Sequence, residues 1–192
     1  MSGRLTSPDP AEMTPQQREL HERLTTGLRA APSNVPLAGE GGPVIGPAIV
    51  WLVRPPLGLA VERLGAAVRF ESLFTPRQRE IATLLVADHH DSAFERYAHE
   101  RLARTAGLSD DEVAVLATGN PPPLADEVER TVAATTLRLL DAGQLTDAEY
   151  AEAVRVLGVE RVVELVTLVG YYGLLALQLR VFQITPPWDV LG

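Results

Sequence analysis

The sequence has 192 residues, 46% of them apolar and 22% charged, which is enough apolar material for one packed core and too much for a disordered chain. Seventeen basic against 25 acidic residues leave a formal charge of −8, which argues against a nucleic-acid-binding surface but not against a small anionic substrate. No cysteine is present, so disulfides, thiolate nucleophiles and cysteine-ligated metals are excluded, and a cytoplasmic protein is expected.

The N-terminus, MSGRLTSPDPAEMTPQQ, has no apolar run of the signal-peptide kind. Residues 1–13 are polar with scattered proline and read as a loose arm. Thr14-Pro15-Gln16-Gln17 is a helix start: a capping threonine, a proline at the first helical position and a glutamine three residues after the cap. Leu20, Leu24 and Leu28 follow at helical spacing. Residues 32–47, PSNVPLAGEGGPVIGP, cannot form a regular helix and read as a surface loop or a loop folded over a pocket. Residues 49–53 form a short apolar helical run broken by Arg54-Pro55-Pro56. A helix over 57–70 then offers Leu59, Val61, Leu64 and Val68 for packing.

Thr75-Pro76-Arg77-Gln78 repeats the start signal, with Ile81, Leu84, Leu85 and Val86 turned inward. Residues 88–92 are polar and bend or cap the chain. A second helix spans about 92–106 and stops at Gly107. Ser109-Asp110-Asp111-Glu112 and Thr146-Asp147-Ala148-Glu149 are capping boxes. Between them, the three prolines within 118–124 make a loop, and 126–141 is helical with Val128, Val132, Leu137 and Leu140 as core candidates. The last helix, 160–182, is apolar nearly all round, which predicts burial on more than one side, in the core or in a subunit interface. Its most apolar part, 165–177, is too short to cross a bilayer. The tail ITPPWDVLG reads as extended. No segment alternates with the period of a strand, so the fold class is all-α, with roughly eight helices.

The chemistry concentrates in 75–107. Glu95 and His99 are four apart and share a helix face, with Ser92 one turn earlier on the same stripe. Such a pair is either an acid–base unit, in which the carboxylate orients the imidazole and raises its basicity, or plain helix-face pairing. Glu80 reaches His99 if the two helices form a hairpin, and otherwise faces solvent near the positive end of its helix. Tyr97 could donate a proton or simply pack. Arg96 reads as an i,i+4 partner of Glu100 or as an anion holder. Trp51 and Arg54 suit a flat anionic substrate, and one ring of Tyr171-Tyr172 could line a pocket. Adjacent His89 and His90 point in different directions and are poor joint ligands, so no metal is expected; HERL at 21 and at 99 lacks the second histidine of the zinc signature.

The string REIATLLVADHHDSAFERYAHERLARTAGLSDDEV resembles the carboxymuconolactone decarboxylase-like family, within the AhpD-like superfamily. Gly46-Pro47 and the late VVELVTLVGYYGLLALQLRVF belong to the same resemblance, which covers about 46–184. It divides the chain into an N-terminal extension (1–45) with one helix and the Gly/Pro-rich loop, a helical domain (46–184) and a tail (185–192). It implies a helical bundle with a central hairpin and a homo-oligomer (dimer, trimer or hexamer). In the peroxidase branch a Glu, a Cys-x-x-Cys pair and a His form the redox site. Here Glu80 and His99 take the Glu and His places, while Ser92 and Glu95 stand where the cysteines would be, so the chain is similar to the non-redox branch. The implied function is a cofactor-free lyase, a decarboxylase of a small carboxylated lactone or related enolisable acid. Its catalytic groups would be His99, Glu80 and Glu95; Tyr97, Arg96, Arg54, Ser92, Trp51 and Tyr172 are candidates for holding the substrate. The alternatives are a hydratase, isomerase or cyclase in the same pocket, or a non-catalytic helical oligomer.

Overall fold

A computed structural model describes residues 3–26, 37 and 43–186. The question of whether the 32–47 loop covers a pocket falls mostly outside them, as do Leu28 and most of the tail. Among the described residues there are nine α-helices, one short 3-10 helix (Pro10–Glu12) and no sheet. The α-helices are α1 (Pro15–Thr25), α2 (Pro47–Val53), α3 (Pro55–Phe70), α4 (Pro76–His89), α5 (Ala93–Thr105), α6 (Asp110–Leu116), α7 (Glu127–Ala142), α8 (Asp147–Leu157) and α9 (Val159–Phe182).

Two compact units make up the chain. The first comprises Met1–Phe70 with Leu177–Gly192, the second Glu71–Ala176. In the first unit, α1 buries Leu20 and Leu24, and α2 buries Trp51 and Leu52. The prolines at 55 and 56 do not delay α3 until residue 57; they form its first turn, where a missing N–H costs nothing. Gly58 permits a close approach, since a Cβ there would lie 2.5 Å from the Trp51 carbonyl. The N-terminal arm is not loose. The Arg4 N–H donates to the Phe182 carbonyl at 2.9 Å and its guanidinium donates to the Val181 carbonyl at 2.9 Å, while Met13 is buried. A helix end leaves its last carbonyls without partners, and the arm supplies donors to them.

In the second unit α4 is the central element. Every residue from Glu80 to Ala87 is buried, and α4 packs against both α5 and α7. Ile81, Leu84 and Leu85 meet Ala103, Leu108, Val113, Leu116, Leu124 and Ala133 in one apolar cluster, with Leu137 and Leu140 against its edge. Arg77, in the first turn of α4, ties this cluster together. Its guanidinium donates to Glu129 on α7 at 2.8 Å, to Glu112 on α6 and to the Gly107 carbonyl at 2.7 Å. The expected capping boxes at Thr14, Thr75, Ser109 and Thr146 are all formed, and Asp126 caps α7.

Within this chain, helix α9 is buried on one face and open on another. Val162, Leu165, Leu168, Tyr171, Tyr172 and Leu175 are buried, whereas Val159, Val163, Val166 and Leu174 are exposed on another face of the same helix. With 24 residues, α9 is also long and apolar enough to cross a membrane by length and composition, which the uncharged 165–177 core alone is not. Hydropathy totals an entire helix surface, so it could not separate the packed face from the open one.

Candidate functional site

The turn between α4 and α5 reverses the chain and lays the two helices side by side as a hairpin. His90 caps α4 through N–H bonds to Val86 and Asp88, and the Ser92 N–H reaches back to the Ala87 carbonyl at 2.9 Å. This pairing brings Glu80, on the second turn of α4, onto His99, on the second turn of α5. His99 Nδ1 lies 2.6 Å from Glu80 Oε2. On the other side of the ring, Nε2 lies 3.4 Å from Glu95 Oε2. All three side chains are at most 5% exposed. Behind Glu80, Arg79 Nε stands 3.8 Å from its second oxygen. The Tyr172 ring, from α9, meets the imidazole edge-on with centroids 4.9 Å apart.

Burial alone would lower the His99 pKa. The two carboxylates, Glu80 foremost, outweigh burial and hold it above the ordinary 6.5. A protonated imidazole donates from both nitrogens, so it suits a position between two carboxylates. The two sides are unequal. The Nδ1–Glu80 bond is short and fixes the ring, whereas the Nε2–Glu95 approach is too long for a strong hydrogen bond. Nε2 is therefore the nitrogen placed to exchange a proton with a third group.

Ser92 is also buried, at 6% exposure. It occupies the N-cap of α5 yet makes no side-chain cap bond, and its hydroxyl has no hydrogen-bond partner. Arg96 does not pair with Glu100. It takes Asp88 at 3.3 Å and Asp91 at 2.7 Å, because the hairpin turn brings these two acids to its side; Glu100 pairs with Arg104 instead. Tyr97 is half-buried, its ring 6.4 Å from that of Phe94. Trp51 and Arg54 belong to the first unit; the Trp51 indole N–H donates to Gln178 Oε1 at 3.1 Å, and Arg54 is exposed at the end of α2. His89 and His90 rings meet edge-on at 4.9 Å. Sequence reasoning gave no role to His90 or Gly173, yet a Cβ on Gly173 would stand 3.2 Å from His90 Nε2, so the turn before α5 rests directly on α9. Only the absence of a side chain at 173 could have signalled this. A separate groove of about 440 Å³ lies between α7 and α8, lined by Thr135, Arg138, Leu145, Glu149 and Ala153 among others and not by the His99 group.

Solved structures with this arrangement of helices exist. An uncharacterised peroxidase-related protein with an alkylhydroperoxidase AhpD core, from Ralstonia eutropha, superposes with a TM-score of 0.76 at 16% identity, over 98% of this chain and 94% of that one. The fold is AhpD-like. A protein of unknown function from Agrobacterium tumefaciens, named for the antioxidant defence protein AhpD, gives 0.65 at 18% identity over 73% of this chain and 97% of that one. The debrominase Bmp8 gives 0.71 at 12% identity over 96% of this chain and 92% of that one; it has also been solved with 2,3,4-tribromopyrrole. No protein-family model matches the chain, and no curated protein matches it. The AhpD-like fold is present here without a cysteine pair; Ser92 and Glu95 flank Ala93 and Phe94 at the start of α5.

Proposed function

We propose that the protein is an enzyme acting on a small organic molecule by general acid–base catalysis at His99, in a non-redox variant of the AhpD-like site. The observation that carries this reading is the buried Glu80–His99 pair at 2.6 Å, with Nε2 facing a second, looser carboxylate. A merely structural hairpin gains little from burying three ionisable groups, which is expensive unless each is paired. A bystander Glu80 would face solvent, and this one does not. Thiol-peroxidase chemistry has no thiol to use.

The specific reaction we infer is decarboxylation of a small carboxylated lactone or related enolisable acid. The bond between the ring carbon and the carboxylate breaks, CO₂ leaves, and the electron pair enters the conjugated carbonyl as an enolate. His99 delivers a proton from Nε2 to carbon and is reprotonated from solvent, so substrate carboxylate plus one proton gives product and CO₂. Glu80 fixes the ring, and Glu95 takes part in the proton exchange. That a debrominase of this fold binds a small flat ring supports a substrate of that size. The test is CO₂ release from a panel of carboxylated lactones, by the native protein and by His99→Ala. We further propose a homo-oligomer in which a second copy of the chain covers the exposed Val159, Val163, Val166 and Leu174 stripe of α9. Gly170 lies in the midst of that stripe, with nothing near its Cβ position, and would allow close approach of a second helix.

A further inference from the structure

We propose that the first turn of α5 is an oxyanion-binding notch for a substrate's carbonyl oxygen, built from the Ser92 hydroxyl and the N–H groups of Ala93, Phe94 and Glu95. Its use in catalysis rests on the acid–base reading above; its existence as a binding site does not.

The first N–H groups of any α-helix lack partners within the helix and need an acceptor. In α1, α4, α6, α7 and α8 a Thr, Ser or Asp side chain supplies one. Helix α5 begins with Ser92, a residue well suited to capping, and Ser92 makes no cap bond. Independently, the Ser92 oxygen is fully buried and bonds to nothing else in the protein. A buried hydroxyl without a partner, at a helix start without a side-chain cap, is a costly arrangement that one bound oxygen atom would relieve.

The notch also lies where the chemistry needs it. Ser92, Glu95 and His99 follow one face of α5. His90, two residues before Ser92, rests on Gly173, and the His99 ring meets Tyr172. Both ends of the site therefore back onto adjacent residues of α9. The charges define the ligand. Arg96 is committed to Asp88 and Asp91, so it is not placed to hold the negative charge formed at His99. A lactone or ketone oxygen enters neutral and gains charge only when CO₂ departs, and amides at the positive end of a helix stabilise it then. The substrate class is thus a carbonyl compound whose carbonyl oxygen, rather than its departing carboxylate, is seated at Ser92.

The experiment is a titration of the full chain with 4-nitrophenol, an enolate mimic whose visible absorbance reports its ionisation, followed by backbone amide NMR. The amides of Ala93, Phe94 and Glu95 should shift together and saturably, with the probe bound as the phenolate. Ser92→Ala should weaken binding about tenfold or more without lowering the melting temperature, because the hydroxyl it removes has no partner. Ser92→Thr should recover most of the affinity, and His99→Gln should still bind at these amides. Unmoved amides, or equal affinity in Ser92→Ala, would mean that the hydroxyl holds an ordered water only, and the notch would be refuted. Probe binding without CO₂ release from any lactone would keep the notch and remove the lyase reading. Release that needs His99 but not Ser92 would refute the notch's use in catalysis and leave the acid–base reading standing.

Discussion

His99 Nδ1 and Glu80 Oε2 lie 2.6 Å apart across the α4–α5 hairpin, although 19 positions separate them in the chain. The pair sets the protonation of the ring. Its pKa is held above 6.5, so His99 should titrate above that value when followed by NMR of the imidazole carbons. Glu80→Gln should bring it down. The sign of the linkage follows: a raised histidine pKa contributes stability that is complete below 6.5 and disappears as pH rises through the folded-state value. Thermal melts should therefore fall on the alkaline side in the native protein, and less so in Glu80→Gln.

Activity should follow the same ionisation. With His99 as the proton donor, turnover should decline as pH rises through its raised pKa, which a pH–rate profile would show directly. Glu80→Gln should lower kcat by about 10- to 100-fold, the range typical of carboxylates that orient a functional imidazole. Its pH profile should move to lower pH. A fall in kcat with no movement of the profile would assign Glu80 a packing role only.

The Arg77 latch is a prediction about stability. Arg77 and Ser109 hold the Glu112 carboxyl down to about 2, so the latch is intact above the ordinary value of 4.5 and is lost as pH falls toward 2. Arg77→Ala leaves two partly buried carboxylates without their cation and should cost about 2 kcal/mol in urea unfolding near neutral pH.

Gly119 is required by both conformation and space. Its φ is +72°, and a Cβ would stand 2.7 Å from Asp88 Oδ2, the acid that pairs with Arg96. Gly119→Ala should destabilise by about 1–3 kcal/mol, and a melting curve would reveal it.

On α9, paired substitution of Val166 and Leu174 by aspartate should leave the helical circular dichroism intact and reduce the molecular mass measured by light scattering. An unchanged mass would show that no second copy covers that stripe.

Much of this fold was legible from residues alone, because Thr-Pro-x-Gln and Ser-x-x-Glu signals mark helix starts through local bonds that do form. Glu95 with His99 was legible for the same reason, being one turn apart. Glu80 required the hairpin, which periodicity cannot supply, and only the family resemblance placed it. Helical spacing points Arg96 to Glu100, whereas its partners, Asp88 and Asp91, lie across a turn that spacing does not encode. Ser92 is the opposite case: its type and position suggest a cap, and only the structure shows that it makes none. The docked N-terminal arm escaped notice because composition says nothing of backbone donors meeting the open end of α9.

The most direct test of the account is CO₂ release from carboxylated lactones by the native protein and His99→Ala side by side. Release by the native protein and a loss of about 10²- to 10⁴-fold in the variant are expected. Release at the native rate by His99→Ala would contradict it, as would a folded native protein that releases no CO₂ from any lactone in the panel.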